Sequence, residues 1–284
     1  MRIKDRIVKI YQVEGFFGVI SAVYRYSKVK IKNPRSIRSF INYFYCKSKY
    51  RSQFPSRCKI IKVNPIDIKY KIHPRFSSRY LKRFSYIFSG NWDINRCGAE
   101  QKSAKNNRCL VPFKNSTRYE SYKRHFKNGV PWEETEFYEN KKEKIKNHSK
   151  SHPRYGSIKK FKKNYLKEID RLYHSIKKGG FKTQDELKKE GETPSIHNHK
   201  LSFKEEILIN IGRDGKLIFD DGRNRVCIAK ILGIKEIPVR VFVRHKKWQK
   251  LRNEIINSGS IKELSKRAKN HLNHPDINEL MKNS

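Results

Sequence analysis

The stretch LIFDDGRNRVCIAKILGIKEIPVRVFV, from Leu217 to Val243, decides the fold, because it is the most regular part of the chain. Its pattern predicts a strand, a tight turn at Gly222, a buried helix that stops at Gly233, and a final strand. The preceding EEILINIGRDGK predicts a further strand and a DG turn. We therefore predict an α+β fold, with a small mixed β-sheet and helices packed against it.

The turn DDGRNR has the features of an anion-binding site. Gly222 allows a tight bend, and the helix that follows begins with amide N–H groups that have no partner inside the helix. Arg223 and Arg225 add forked donors suited to phosphate or carboxylate oxygens, and Asn224 can donate or accept a hydrogen bond there. The helix sequence VCIAKIL is apolar except for Lys230, so it should be buried and hold these groups in place.

Two acidic residues leave a simpler interpretation open. Asp220 and Asp221 precede the glycine, and they would pair with the two arginines and cap the helix without any ligand. An enzyme would use the same acids, because a carboxylate can hold Mg2+ or activate a nucleophile. Asp220, Asp221 and the more distant Asp93 are therefore the catalytic candidates, and nothing in the sequence alone brings the three together.

The chain is strongly basic, with 67 Lys and Arg against 27 Asp and Glu and a formal net charge of +40. Residues 1–90 carry 22 of the basic residues and only 3 acids. A surface of this charge attracts nucleic acid or anionic lipid, unless the excess reflects only a compositional bias of the source genome. Residues 1–50 also have apolar positions at helical spacing, which predicts basic amphipathic helices that lie on nucleic acid, on a membrane surface, or against the protein.

The five cysteines form no CxxC pair and have no histidine at zinc-finger spacing, so no metal site is predicted. Their odd number and the lack of a signal peptide favour the cytoplasm. The most apolar N-terminal window, Phe16–Tyr24, is shorter than the roughly 20 residues that cross a bilayer, so no transmembrane helix is predicted.

The rest of the chain divides into predictable elements. The alternation Ile60–Lys71 predicts two short strands about a turn, and Trp92 is expected to pack within a loop. Helices are predicted over 115–129, from Pro131 onwards, and over 165–180. The expected parts are a basic helical region (1–55), an α+β domain (56–250) with a helical insertion (about 115–165) and a core (166–245), and a basic helical tail (251–284).

Two segments, LYHSIKKGGFKTQDEL (172–187) and ILINIGRDGKLIFDDGRNRVCIAKILGIKEIPVRVFV (207–243), together resemble the core of the ParB/sulfiredoxin superfamily. The shared pattern is a helix, SI followed by G, two strands about a turn, DGxxR, a helix ending in LGI, and IPVRV. Outside this core, PWEETEFY, GNWD and VRHKKWQ resemble an uncharacterised archaeal and bacterial group of ParB-like proteins. This resemblance would extend the relationship from about Ile60 to the tail.

The resemblance implies roles for individual residues. ParB proteins grip nucleotide phosphates at the matching turn, which implies phosphate contacts for Gly222, Arg223 and Arg225. Sulfiredoxins carry a catalytic Cys, then His and Arg, where this chain has Arg223, Asn224 and Arg225, so their nucleophile is missing. Cys227 lies one turn deeper and is predicted to be a buried structural thiol. Many relatives, including ParB-like kinases, have His in place of Asn224, and asparagine cannot transfer protons near neutral pH.

Three functions are consistent with these features. The leading hypothesis is a ParB-like domain that binds a nucleotide or another phosphorylated small molecule at Gly222–Arg225, with basic flanks that contact nucleic acid. The second is an enzyme of the same class, such as a nuclease, an NTPase or an ATP-dependent small-molecule kinase; the sequence assigns no cofactor, although a nucleotide with Mg2+ would suit the site. The third is a peripheral membrane protein that binds anionic lipid through residues 1–50 and senses a ligand.

Overall fold

One mixed β-sheet organises the part of the chain that the computed structural model describes, which comprises residues 60–72, 87–94, 110–147, 157–191 and 206–281. Seven strands lie in these ranges: β1 (Ile60–Val63), β2 (Tyr70–Ile72), β3 (Ile87–Phe88), β4 (Leu110–Pro112), β5 (Ile207–Ile211), β6 (Leu217–Asp221) and β7 (Ile237–His245). They are ordered β1-β7-β5-β6-β2-β4, and β3 also pairs with β7. The predicted basic region 1–55 lies outside the described residues.

The helices of the described residues surround this sheet. They are α1 (Thr117–Asn128), α2 (Glu136–Asn147), α3 (Ile158–Lys160), α4 (Lys167–Gly179), α5 (Gln184–Lys189), α6 (Arg223–Ile231), α7 (Lys246–Asn257), α8 (Lys266–Lys269) and α9 (Pro275–Met281). A π-helical segment, Phe161–Leu166, joins α3 to α4. Short 3-10 turns lie at Pro65–Asp67, Phe113–Asn115, Trp132–Glu134 and Ile261–Glu263.

The main core lies between one face of the sheet and the helices. Strand β5 is central, antiparallel to β6 and parallel to β7, and each of its residues is buried. Because side chains alternate along a strand, Ile207, Ile209 and Ile211 face the helices, whereas Asn210 faces the other side. A smaller cluster on that second face includes Trp92 and Ile218. The sheet is therefore buried on both faces, which explains the nearly continuous apolar sequence of β5 and β7.

The structure confirms most of the predicted elements, with two corrections. The pattern strand, DG turn, strand, helix, strand in the region 207–243 forms β5, β6, α6 and β7, and Trp92 is buried as expected. The helix predicted from Pro131 begins only at Glu136, because Thr135 has extended dihedral angles (φ −94°, ψ 141°) after a 3-10 turn. The helix predicted from residue 165 begins earlier, at Ile158, and includes the π-helical segment.

The sheet and the tail extend beyond the predicted core of residues 166–245. Strands β1 to β4 come from residues before this core, yet they pair into the same sheet. Helix α7 continues across the boundary predicted after residue 250, and Asp276 of α9 is fully buried. The tail therefore packs on the sheet domain as far as Ile277. None of the helices in the described ranges is long and apolar enough to cross a bilayer.

Candidate anion-binding site

The bend between β6 and α6 requires a glycine for two reasons. Gly222 has φ 88° and ψ 30°, in the left-handed region that other residues avoid. A Cβ atom at this position would lie 2.9 Å from the Cα of Ile207, so the bend packs directly on the backbone of β5. The Gly222 amide donates to the carboxylate of Asp221 at 2.8 Å. The predicted tight turn with close backbone approach is thus present.

Helix α6 presents its N-terminus at this bend. Gly222 is the N-cap residue and supplies no capping side chain, so the first amide N–H groups of the helix lack the usual side-chain acceptor. Beyond the first turn the helix is fixed by burial: Val226, Cys227, Ile228 and Ala229 are inaccessible to solvent. A rigid helix that begins with uncapped amides favours an anion at its N-terminus.

A polar network from the helical insertion orients Asn224. The Oδ1 atom of Asn224 accepts from Arg118 Nη1 at 2.5 Å, from the Tyr122 hydroxyl at 3.0 Å and from the Tyr165 hydroxyl at 3.3 Å. Arginine is only a donor, so the atom that faces Arg118 must be the amide oxygen, which fixes the orientation of the carboxamide. Burial raises the pKa of Tyr122 well above its ordinary value, so this hydroxyl stays protonated.

This orientation leaves two donors at the helix start without a protein acceptor. No group in the described residues accepts a hydrogen bond from Asn224 Nδ2. The Nε atom of Arg118 is buried and likewise has no hydrogen-bond partner among them, although its guanidinium lies 4.9 Å from the centroid of the Phe137 ring. The unpaired Arg118 Nε is a costly buried donor, whereas Asn224 Nδ2 is available to an anion at the helix start.

Four cations lie along the side of α6 around Cys227, and we call them the α6 cation cluster: Lys71, Arg118, Arg223 and, in the last turn of the helix, Lys230. Within the described part of the chain, none has a carboxylate within 4 Å. Burial lowers the pKa values of Lys71 and Arg223, and their like-charged neighbours lower them further. Burial also lowers the pKa of Lys230, to about 8. The cluster is thus a group of positive charges without a carboxylate in ion-pair contact, although Asp221 and Asp67 lie near enough to favour the charged forms of Arg223 and Lys230.

Several other arginines of this fold do have a carboxylate partner. Arg213 pairs with Asp93 at 2.7 Å, and Arg225 lies 3.5 Å from Glu206. Arg244 and Arg252 both pair with Asp276. Arg240 is also buried, on the second face of β7, and it likewise has no carboxylate within 4 Å among the described residues. Missing acids alone therefore do not mark a site; at α6 they coincide with a helix N-terminus and a group of four cations.

The structure separates the residues that the sequence placed together at the turn. Arg223 and Asn224 belong to the candidate site. Arg225 instead contacts the buried Glu206, whose other oxygen accepts from the amide of Gln184, and its guanidinium lies 5.7 Å from the centroid of the Phe181 ring. These contacts of Arg225 are parts of the fold, and we do not count it in the α6 cation cluster.

The three acids proposed as catalytic candidates have different surroundings, and Asp93 lies far from the other two. Asp221 is exposed and accepts from the Gly222 amide, without an ion pair to Arg223 within 4 Å. Asp220 accepts from Asn210 Nδ2 at 3.0 Å. Asp93 is buried against Arg213 in the turn between β5 and β6, at the opposite end of β6. No group of three or more His, Cys, Asp or Glu residues that could hold a metal lies in the described ranges.

Cys227 has the surroundings of a structural thiol. It is fully buried in α6, and burial raises its pKa to about 12, so the reactive thiolate is scarce near neutral pH. This agrees with the prediction that the sulfur packs in the core.

Sequence reasoning missed part of the site. Arg118, Tyr122 and Tyr165 lie between 59 and 106 positions before Asn224 and reach it only through the tertiary fold, and Lys71 lies still earlier in the chain. The inward spacing of tyrosines on α1 was visible in the sequence, but it indicated core packing rather than a hydrogen bond to the turn.

Comparisons with known proteins identify no relative. The chain matches no protein-family model, no curated protein and no solved structure at a significant level. The resemblance to the ParB/sulfiredoxin core therefore stays a prediction that rests on the quoted motifs.

Proposed function

We propose that this protein binds a phosphate-containing ligand, a nucleotide in the first instance, at the N-terminus of α6. The ligand phosphate would accept from the first amides of α6, from the Arg223 guanidinium and from Asn224 Nδ2. Arg118 would contribute charge from behind Asn224. The role follows that of the matching turn in ParB-like domains, which the sequence resembles.

The observation that carries the proposal is the coincidence of an uncapped helix N-terminus with guanidinium groups that have no carboxylate in ion-pair contact. The fold supplies a carboxylate to Arg213, Arg225, Arg244 and Arg252, but none within 4 Å to Arg118 or Arg223, as far as the described ranges extend. Neighbouring like charges repel one another, and a bound anion offsets that repulsion. A phosphate at the helix start would neutralise the guanidinium groups and satisfy the uncapped amides together.

The test is a calorimetric titration of the full chain with CTP, ATP and inorganic phosphate, each with and without Mg2+. Replacing Arg223 by Gln removes one charge-assisted contact, worth about 1.5–3 kcal/mol, so affinity should fall roughly 10- to 150-fold. The matched control is Arg171→Gln in α4, which removes an equal charge from a side chain that is 75% exposed. Equal affinity in the wild type and Arg223→Gln would overturn the proposal, as would a failure of all these anions to bind.

The second part of the proposal assigns nucleic acid to the basic flanks. Its support is the excess of positive charge in residues 1–90, most of which lie outside the described ranges. Affinity for DNA or RNA should fall steeply as salt rises, because each phosphate contact releases a counter-ion. Deleting residues 1–55 should weaken binding and flatten the salt dependence. If the deletion variant binds nucleic acid as tightly as the whole chain, the nucleic-acid part of the proposal is wrong, and the proposal for the α6 site is not affected.

A further inference from the structure

His125 lies where α1 meets the turn that follows it and helix α4. It is in the last turn of α1, which ends before Gly129, and its ring stacks on that of Trp132 with 4.0 Å between centroids. The Nδ1 atom lies 2.8 Å from the carbonyl oxygen of Val130, and the Nε2 atom lies 3.3 Å from Oδ1 of Asp170 in α4. Both ring nitrogens therefore face oxygen atoms that accept hydrogen bonds.

This geometry favours a charged ring. A neutral imidazole has one N–H group and one nitrogen lone pair, so it can donate to only one of the two oxygens and must turn its lone pair toward the other. The imidazolium form donates to both at once. Its positive charge also suits the C-terminus of a helix, where the last carbonyl groups carry partial negative charge. The contact is therefore stronger when His125 is protonated.

Acidic groups face His125 from the elements packed against the end of α1. Burial alone would lower the pKa of the ring, but its hydrogen bonds to Asp170 and to a backbone carbonyl raise it, as do the charges of Asp170 and Glu133. Glu133, in the 3-10 turn before α2, also pairs with Lys162 at 2.6 Å. Lys127 shares the last turn of α1 but is exposed. The net effect is a pKa raised above the ordinary value of 6.5, which favours the imidazolium near neutral pH.

Helix α1 connects His125 to the candidate site. Its first half carries Arg118 and Tyr122, which donate to Asn224 Oδ1 at the start of α6. Its last turn is held on α4 by the contact between His125 and Asp170. A helix fixed at its C-terminal end keeps the side chains of its first half in place. The protonation of His125 therefore affects the position of the donors at Asn224.

We propose that protonated His125 is a pH-sensitive clamp, which holds α1 on α4 and thereby keeps Arg118 in position for the ligand at α6. The effect on the ligand rests on the proposed function, whereas the contact between the two helices does not. A second contact between them, the stacking of Phe126 on Tyr173, contains no titrating group near neutral pH. Deprotonation of His125 therefore loosens α1 and does not release it.

The first experiment follows the histidine rings of the full chain by NMR as the pH is varied. His125 should titrate at a higher pH than His174, an exposed histidine of α4. Asp170→Asn keeps an oxygen that can face His125 but removes the charge, so it should lower the pKa of His125 toward that of His174. The backbone amide signal of Asn224 should shift with the midpoint of His125, and this transition should be absent from His125→Gln. A His125 that titrates at or below the pH of His174 would overturn the clamp, as would an Asn224 signal unaffected by its titration.

Urea unfolding at several pH values measures the contribution of the clamp to stability. Because the pKa of His125 is raised in the folded protein, this contribution is fully present below the unfolded pKa of about 6.5 and is lost as the pH rises through the higher, folded pKa. The wild type should therefore exceed His125→Gln in urea midpoint at pH 6, and the difference should shrink by pH 9. The matched control, His174→Gln, should show no such change with pH. The same difference between wild type and His125→Gln at both pH values would mean that the ring is only structural.

Sulfate tests the effect of the clamp on the candidate site, because it resembles phosphate but keeps the same charge between pH 6 and pH 9. Raising the pH over this range should weaken sulfate binding to the wild type at least about 3-fold more than binding to His125→Gln. Equal pH dependence in the two proteins would overturn the effect on the site. If neither sulfate nor the nucleotides bind the wild type at pH 6, the proposed function fails, whereas the NMR and urea results decide separately on the contact between α1 and α4.

Discussion

Replacing Asn224 by Asp should stabilise the fold and abolish ligand binding in one step. The substitution changes almost no volume, but it places a carboxylate where Arg118, Tyr122 and Tyr165 already donate to the amide oxygen. It also removes the Nδ2 donor beside Arg223. The change therefore supplies from within the protein the negative charge that we propose a ligand normally brings.

The magnitude follows from the hydrogen bonds that change character. A neutral hydrogen bond contributes about 0.5–1.5 kcal/mol and a charge-assisted one about 1.5–3 kcal/mol, so each strengthened bond gains about 1 kcal/mol. The 2.5 Å contact from Arg118 and one tyrosine hydroxyl should together give about 1–2 kcal/mol after the carboxylate loses part of its hydration. Phosphate affinity should fall at least about 100-fold, because a fixed negative charge now occupies the site.

The assay is urea unfolding followed by tryptophan fluorescence, compared with Asn273→Asp, an exposed position that adds the same charge. Arg118 and Arg223 should hold the pKa of the new carboxyl below its unfolded value of about 3.9. The added stability is therefore present above pH 4 and disappears as the pH falls through the lower, folded pKa. An Asn224→Asp protein no more stable than Asn273→Asp at pH 7 would refute the idea that the cluster lacks a counter-charge.

Three further substitutions and modifications test the surrounding structure. Gly222→Ala should cost about 1–3 kcal/mol more than Gly129→Ala in urea unfolding, because both have positive φ but only Gly222 meets a backbone atom at 2.9 Å; equal costs would show that the bend can relax. Asp276→Asn should lower the free energy of unfolding by about 3–5 kcal/mol at pH 7, because it leaves two buried arginines without their carboxylate. This difference from the wild type should vanish at acid pH, as the native carboxyl protonates. An unchanged urea midpoint at pH 7 would contradict the buried pairing. In native protein at pH 8, iodoacetamide should leave Cys227 unmodified, which peptide mapping can check. Rapid labelling would contradict the structural role of this thiol.

The sequence predicted the part of the site that is local along the chain. The bend at Gly222, the apolar helix and the strands around it follow from residues within 40 positions, where periodicity and glycine placement are informative. Two features of the same turn were not visible. Arg223 and Arg225 look equivalent in DGRNR, yet a two-residue step places their side chains about 160° apart around the helix, so only Arg225 reaches Glu206.

The partners of Asn224 could not be predicted for a different reason. Arg118 and Tyr122 lie on α1, more than 100 residues before Asn224, and no local pattern encodes which helix packs on the start of α6. The amphipathic spacing of α1 predicted that Tyr122 is buried, which is correct, but it gave no role to Arg118. A buried arginine has to find hydrogen-bond acceptors, and those acceptors are identified only once tertiary contacts exist.

The uncompensated charge at α6 implies that ligand binding and fold stability are coupled. Neighbouring cations repel one another in the empty folded state, and an anion that binds only the folded state stabilises it. At a concentration 100 times its dissociation constant, such a ligand stabilises by about 2.7 kcal/mol, which corresponds to roughly 5–10 °C in Tm for a domain of this size. A thermal-shift screen of nucleotides and linked phosphates should therefore rank the ligands directly. The same anions should shift the Arg223→Gln protein far less, whereas equal shifts in both proteins would mean that the anions act on the general basic surface and not at α6.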